Sequence, residues 1–318
     1  MAITFSIEKI LSEFTFSCRG IIQERLGLEF TNPEDLKQFI YNFYYCNGSL
    51  KKVNLNYYPL KTNHFLSKLR KANKSTGYYI PGWLVLSKLD GRYIVSKNGI
   101  KIFVDPIKHF ERNDLSAKIG DTVAIKFPNE RIFSSRDYYV AIGNKGMPSN
   151  NQQLVRLYLH LKPFYAVYML SVLTRQFSHV KPIPFIYKTL LDPQDYKRRD
   201  SAVMYFNKND FFSVMSFMKK FRAIQPGLFL RGTPLFTKRL FGGVSVAEEP
   251  LKKKGKESFG QHRCRIISEG IFKAYRNNIH NKHEMLNLII GDLSKWKVNI
   301  ECPFLNTRSV NIYNLQQV

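Results

Sequence analysis

The sequence predicts an α+β fold: an antiparallel sheet flanked by helices, preceded by a helical and β-rich N-terminal region. Three observations carry that expectation. Residues 155–161, Val-Arg-Leu-Tyr-Leu-His-Leu, alternate apolar and polar with the period of a β-strand. Asp90-Gly91 and Asn98-Gly99 are strong hairpin signals between short β-rich runs. Asn32-Pro33-Glu34-Asp35 opens a helix with a capping Asn, a proline in the first turn and acids behind it.

In chain order, the first 70 residues read as helical, with Leu36, Phe39, Ile40 and Phe43 at core spacing. Residues 83–86, 92–95, 100–104, 122–127 and 138–142 read as strands of one small antiparallel sheet or partial barrel. Residues 143–151 are rich in Gly, Ser, Asn and Pro and read as a linker. The chain therefore divides into 1–146, helical plus a small β region, and 147–318, an α+β domain. In the second part a helix is expected over 163–177, an extended Pro-rich stretch over 181–185, and strands over 187–191 and 201–206. Asp210 caps a helix with Phe211, Val214, Met218 and Phe221 on one face. Residues 226–250 read as loop-rich and 252–256 as a solvated basic run. Ser258 caps a helix to about Tyr275.

Composition narrows the function. Hydrophobic residues at 44% and aromatics at 14% exclude a disordered chain. The formal net charge of +25 favours an anionic partner. Four scattered cysteines and seven histidines form no metal-ligand spacing, and Gly242-Gly243 lacks any Walker or Rossmann context, so neither metal nor cofactor is called for. His262 and His280 read as surface or capping residues. The N-terminus has no basic segment before its apolar run, which argues against a signal peptide, and the run 164–173 is too short to span a bilayer. Sparse cysteines fit a reducing compartment.

Four places can carry chemistry. In strand 155–161, Arg156, Tyr158 and His160 share the face opposite Val155, Leu157 and Leu159; that face is either solvated or a site. Arg263 shares a helix face with Ile267, Gly270, Ile271 and Ala274, which should point inward. A buried arginine needs an anion. Glu248, Glu249 or Asp200 could supply it, or a ligand could, helped by the free N–H groups of the helix start. Lys188 sits in the apolar strand IPFIYKTLL. It is either an exposed lysine of an edge strand or an amine placed to act as a general base. Arg198 and Arg199 are surface charges, or a forked grip for phosphate.

The segments VRLYLHL, IPFIYKTLL, RRDSAVMYF, PLFTKRL, GVSVAEEP and SFGQHRCRIISEGI, in that order, resemble the HopA-type family of type III secretion effectors, over roughly residues 138–277. Relatives of that family accompany kinases in class V lanthipeptide biosynthesis. The order of elements also resembles, more distantly, the phosphothreonine lyases and the lyase domains of lanthipeptide synthetases. That resemblance implies Lys188 as base, Tyr158 as general acid with His160 as substitute, and Arg156, Arg198 or Arg199, and Arg263 as phosphate ligands. Arg156 and Tyr158 depart from that pattern, which has Lys and His there. The implied activity is a carbon–oxygen lyase that eliminates phosphate from phosphoserine or phosphothreonine in a precursor peptide, with a kinase as partner and no membrane. The implied location is the bacterial cytoplasm, or secretion as an effector. The alternative is a non-catalytic adaptor that binds a host or partner protein. Nucleic acid ranks last, because the aromatics fall on core periods.

Overall fold

In the computed structural model, residues 2–47, 60–111, 114–131, 137–148, 154–251, 254–255 and 257–314 are described. The chain starts with α1 (Ala2–Ser12) and then departs from the expected all-helical start. Three short strands, β1 (Phe14–Phe16), β2 (Ile21–Gln23) and β3 (Leu28–Phe30), form an antiparallel sheet. The cause is local: the Ser17 hydroxyl accepts from the N–H groups of Arg19 and Gly20, both at 3.1 Å, and closes the first hairpin. The capping signal works as expected. Asn32 accepts from the Asp35 N–H at 2.9 Å, with Pro33 opening α2 (Pro33–Ile40). A π-helical turn (Tyr41–Tyr45) follows directly, and α3 (Leu60–Ala72) comes next.

A four-stranded sheet follows, built from β4 (Tyr78–Leu89), β5 (Arg92–Lys97), β6 (Ile100–Val104) and β7 (Thr122–Phe127), with α4 (Pro106–His109) before its last strand. Its order is β6-β5-β4-β7, and both hairpin dipeptides adopt the positive φ their turns need. Trp83, Val85, Tyr93, Val95, Val104, Phe110, Val123 and Ile125 form its own small core. The strand at 138–142 is real but belongs elsewhere, for a pairing reason given next.

The main sheet has seven antiparallel strands in the order β13-β14-β10-β12-β11-β9-β8. These are β8 (Glu130–Arg131), β9 (Tyr138–Ile142), β10 (Leu154–Leu159), β11 (Phe185–Leu190), β12 (Ala202–Asn207), β13 (Lys238–Phe241) and β14 (Val244–Glu248). β9 pairs with β11, Val140 opposite Lys188, and so leaves the small sheet. The stretch expected to be loop-rich contains the β13–β14 hairpin. Gly243 turns it at φ +72°, and a Cβ there would meet the Leu230 carbonyl oxygen at 2.1 Å.

One face of this sheet carries Val155, Leu157, Leu159, Met204, Phe206, Phe185 and Tyr187, all buried. The helices α5 (Pro163–Arg175) and α6 (Phe211–Ile224) lie on that side. Phe177, just past α5, meets Phe185 at 6.3 Å and Phe217 of α6 at 5.4 Å. The other face is covered by the Tyr41–Tyr45 turn and by α7 (Phe259–Arg276). A capping box starts α7: Ser258 accepts from the Gln261 N–H, and the Gln261 side chain accepts from the Ser258 N–H. A last helix, α8 (Lys282–Lys295), packs beside α7. One hydrophobic core runs from Ile7 to Tyr313.

Candidate functional site

The register of the main sheet decides which side chains meet. Tyr158 pairs across β12 with Val203, and Val203 pairs with Lys188, so the three share one row. Two strand spacings separate Tyr158 from Lys188, roughly 10 Å between backbones. In the next row Arg156 pairs with Tyr205. The Tyr205 ring lies between two cations: the Arg156 guanidinium is 4.9 Å from its centroid and the Lys188 amine 5.2 Å. Lys188 is half-buried on a strand flanked on both sides, so it is not an edge lysine. The polar face of β10 is not solvated, since Arg156 and Tyr158 are both buried.

Burial alone would discharge Arg156, but the Tyr205 phenol and the Glu249 carboxylate outweigh it and hold the guanidinium charged. Glu249 accepts from its Nε in a buried ion pair. The Tyr158 hydroxyl is buried, and its hydrogen-bonding neighbours are the Tyr45 hydroxyl and Arg156. Burial pushes the Tyr158 phenol up, against the pull of Arg156, so it keeps its proton.

Arg263 lies on the inward face of α7, as its neighbours imply, and is 2% exposed. Its Nε and Nη2 donate to the Pro303 carbonyl at 3.3 and 2.8 Å, Nη1 contacts His262, and its guanidinium sits 4.7 Å over the Phe259 ring. These partners are neutral. Each carboxylate that could have been its counter-ion holds another cation: Asp200 holds Arg198, Glu248 holds Lys208 and Glu249 holds Arg156. Burial lowers the Arg263 pKa to about 10, opposed by Tyr45, Tyr158 and Glu249. It remains a cation at neutral pH, balanced at a distance by Glu249 and Glu257. His262 is fully buried, against the expectation of a surface residue, because the turn of α7 that brings Arg263 inward also sets its ring edge-on to Trp296 at 5.7 Å.

The other expected residues lie at the ends of these strands. Arg198 grips Asp200 with two hydrogen bonds of 2.9 and 3.0 Å and donates to the Tyr138 hydroxyl at 3.0 Å. Tyr41 donates to the same carboxylate at 3.1 Å, which ties the π-helical turn to the sheet. The Arg199 N–H donates to the Cys46 carbonyl at 2.7 Å, while its side chain passes Gly232 and stays half-buried. His160 Nδ1 lies 2.9 Å from the Arg231 carbonyl, which can only accept, so Nδ1 carries the proton. Nε2 is then a buried lone pair with no partner among the described residues. Burial lowers the His160 pKa, and Arg199 lowers it further, so the imidazole is neutral at pH 7.

Arg156, Tyr158 and Lys188 thus share one face of the sheet, and Arg263 meets Tyr158 there from α7. His160 and Arg199 pair off at the far end of β10, and Arg198 is fixed by Asp200. Tyr205, Tyr45 and Glu249's pairing with Arg156 were not anticipated. The alternation in 201–206 puts Val203 and Tyr205 on one face, yet only the strand register brings Tyr205 between Arg156 and Lys188.

The model of the HopA1 effector protein family matches residues 130–305. Two solved structures share the fold over nearly the whole chain. The effector protein from Pseudomonas syringae pv. syringae strain 61 is 17% identical with a TM-score of 0.56, covering 96% of this chain and 98% of its own. The effector protein from Pseudomonas syringae pv. tomato strain DC3000 is also 17% identical, with a TM-score of 0.52 and 96% of each chain covered. No curated protein matches the sequence.

Proposed function

This chain belongs to the HopA1 effector protein family, and from that premise we propose that it is a phosphoserine/phosphothreonine lyase acting on a phosphorylated peptide. One observation supports the proposal: a protonated phenol and a half-buried amine share one sheet face, and a buried guanidinium meets the phenol from α7. Lys188 takes the α-proton. The electron pair left on Cα forms the Cα=Cβ bond, and the Cβ–O bond breaks with its pair leaving on phosphate. Tyr158 gives the departing oxygen its proton. Arg263 holds the phosphate with Arg156 beside it, while Arg199 at the far end of β10 and Arg198 on Asp200 contribute charge rather than contacts. Each such donor can lower the barrier by ~3–4 kcal/mol. The product is a dehydroamino acid, and a partner kinase supplies the substrate.

A second reading has its own support. Arg156 and Arg198 already hold buried carboxylates, so half of the expected phosphate ligands are engaged. A chain of that kind would bind a host or partner protein without chemistry. Mass spectrometry of a phosphothreonine peptide separates the two. The lyase removes phosphoric acid from the peptide, and Lys188→Ala slows this by ~10²–10⁴-fold, the usual worth of a general base. Binding of the peptide, followed by fluorescence anisotropy, stays close to wild type because the arginines remain. No mass loss from any phosphopeptide tested would favour the adaptor.

A further inference from the structure

We propose that the free edge of the small sheet, strand β6, is a docking site for an extended acidic peptide that adds to it as a fifth strand. The two edges of this sheet are treated differently. Phe110 bridges to Ile125 on the β7 side, and the Asp114 carboxylate accepts from the Ala124 N–H at 2.7 Å, so that edge is closed. On the β6 side no described strand or loop pairs with the backbone beyond β5. An open edge of this kind presents a row of unused N–H and C=O groups, which proteins normally shield with charge, proline or a bulge. β6, Ile-Lys-Ile-Phe-Val, has no proline, pairs with β5 without a register shift, and carries a single charge, Lys101, as its shield. Ile100 and Phe103 are 61% and 51% exposed, and so apolar surface stands on both sides of the edge.

The side chains indicate the partner's chemistry. The four strands contain five cations, Lys88, Arg92, Lys97, Lys101 and Lys126, and no Asp or Glu. On the outer face Lys101 is exposed beside Phe103, and the Arg92 guanidinium lies 5.5 Å over the Phe103 ring. On the inner face Ile102 packs against the small core, with Ile100 at its open end. An added strand would place alternate residues beside Lys101 and Arg92, and the others beside Ile100 and Ile102. Acids fit the first set and apolar side chains the second. The occupant is therefore an alternating acidic and apolar segment, recognised mainly through its backbone.

The test uses the full-length protein and a fluorescein-labelled decapeptide alternating Val and Glu. The controls carry Lys in place of Glu, or N-methyl groups on alternate backbone amides. The Val-Glu peptide should bind at least about tenfold tighter than the Val-Lys peptide. It should slow hydrogen exchange of the backbone amides in residues 100–104, and N-methylation should remove both effects. Lys101→Glu, an exposed substitution, should lower affinity for the Val-Glu peptide by a similar factor. Equal binding of both peptides, or no slowing at 100–104, would overturn the proposal. So would protection of those amides that rises with protein concentration alone, since a second copy would then occupy the edge.

Discussion

Burying a polar hydroxyl on a sheet face is costly, so its persistence there asks for another reason. Tyr158 is the clearest case, and the comparison with phenylalanine separates stability from activity. Tyr158→Phe removes only the oxygen. The melting temperature should move by no more than the ~1 kcal/mol that one hydrogen bond carries. Elimination from the phosphothreonine peptide should fall by ~10²-fold or more, because the leaving oxygen loses its proton donor. A variant that melts lower yet eliminates normally would show that the phenol is only structural. His160 allows a pH test. Burial holds its folded pKa below the unfolded value of about 6.5. As pH falls through that value the unfolded chain binds the proton first, so stability falls with pH and levels off once the folded imidazole is also protonated. His160→Asn can keep the bond to the Arg231 carbonyl without titrating. Denaturant unfolding between pH 7.5 and 5, a range chosen to span about 6.5, should therefore show a shallower slope for the variant than for wild type. Equal slopes would assign the pH dependence to other groups.

Elements were legible where the signal is local. The cap at Asn32, the box at Ser258 and the two hairpin dipeptides each act within a few residues of themselves, and each stands where the sequence put it. β14 escaped notice because all five of its residues are buried, which erases the alternation that betrays a half-buried strand. β9 is legible as a strand but not its sheet, since its pairing with β11 joins residues as far apart as Tyr138 and Leu190, which no local pattern reports. α8 is not among the elements expected from the sequence, although Asn281 supplies its cap, accepting from the N–H groups of His283 and Glu284 at 2.9 and 3.2 Å. The site shows the same division. Arg263's inward face followed from helical spacing, whereas its neutral partners depend on Pro303, far along the chain. Helix α7 carries that arginine, and its seat against the Tyr41–Tyr45 turn is tight. A Cβ on Gly260 would lie 2.5 Å from Tyr45 ring carbons and 2.8 Å from the Tyr41 ring. Gly260→Ala should therefore cost ~1–3 kcal/mol from overpacking, read by denaturant unfolding. Because Arg263 lies one turn further along, the variant should also lose part of any stabilisation by inorganic phosphate. A change within ~0.5 kcal/mol would mean that the turn simply yields.

Across the whole molecule, buried acids act as internal counter-ions. Asp200, Glu248 and Glu249 are each under 7% exposed, so the excess of positive charge is left to the surface. Glu248 also governs the end of the chain. It accepts from Lys208 at 2.8 Å, from Ser309 at 2.7 Å, from Tyr313 at 2.9 Å and from the Asn306 N–H at 2.9 Å. Its own N–H donates to the Phe304 carbonyl at 2.8 Å. Residues 303–313 are thereby drawn against the sheet, and the first of them supplies the carbonyl that Arg263 holds. Glu248 thus fixes the C-terminal segment through its carboxylate and its N–H, and Phe304 is the chain neighbour of the Pro303 carbonyl that Arg263 holds. Glu248→Gln leaves Lys208 without its counter-charge and, depending on the amide's orientation, sets an N–H₂ donor against a donor. Breaking such a buried pair costs ~3–5 kcal/mol. Amide exchange should quicken through residues 303–313 before it does in the central strands. As the Pro303 carbonyl loosens, Arg263 loses the neutral acceptor that competes with an anion. Inorganic phosphate should then raise the melting temperature of the variant by more than it raises that of wild type, since a ligand stabilises in proportion to its affinity for the folded state. Equal shifts in the two proteins, alongside faster exchange at the C-terminus, would show that the segment and the arginine are neighbours without being coupled.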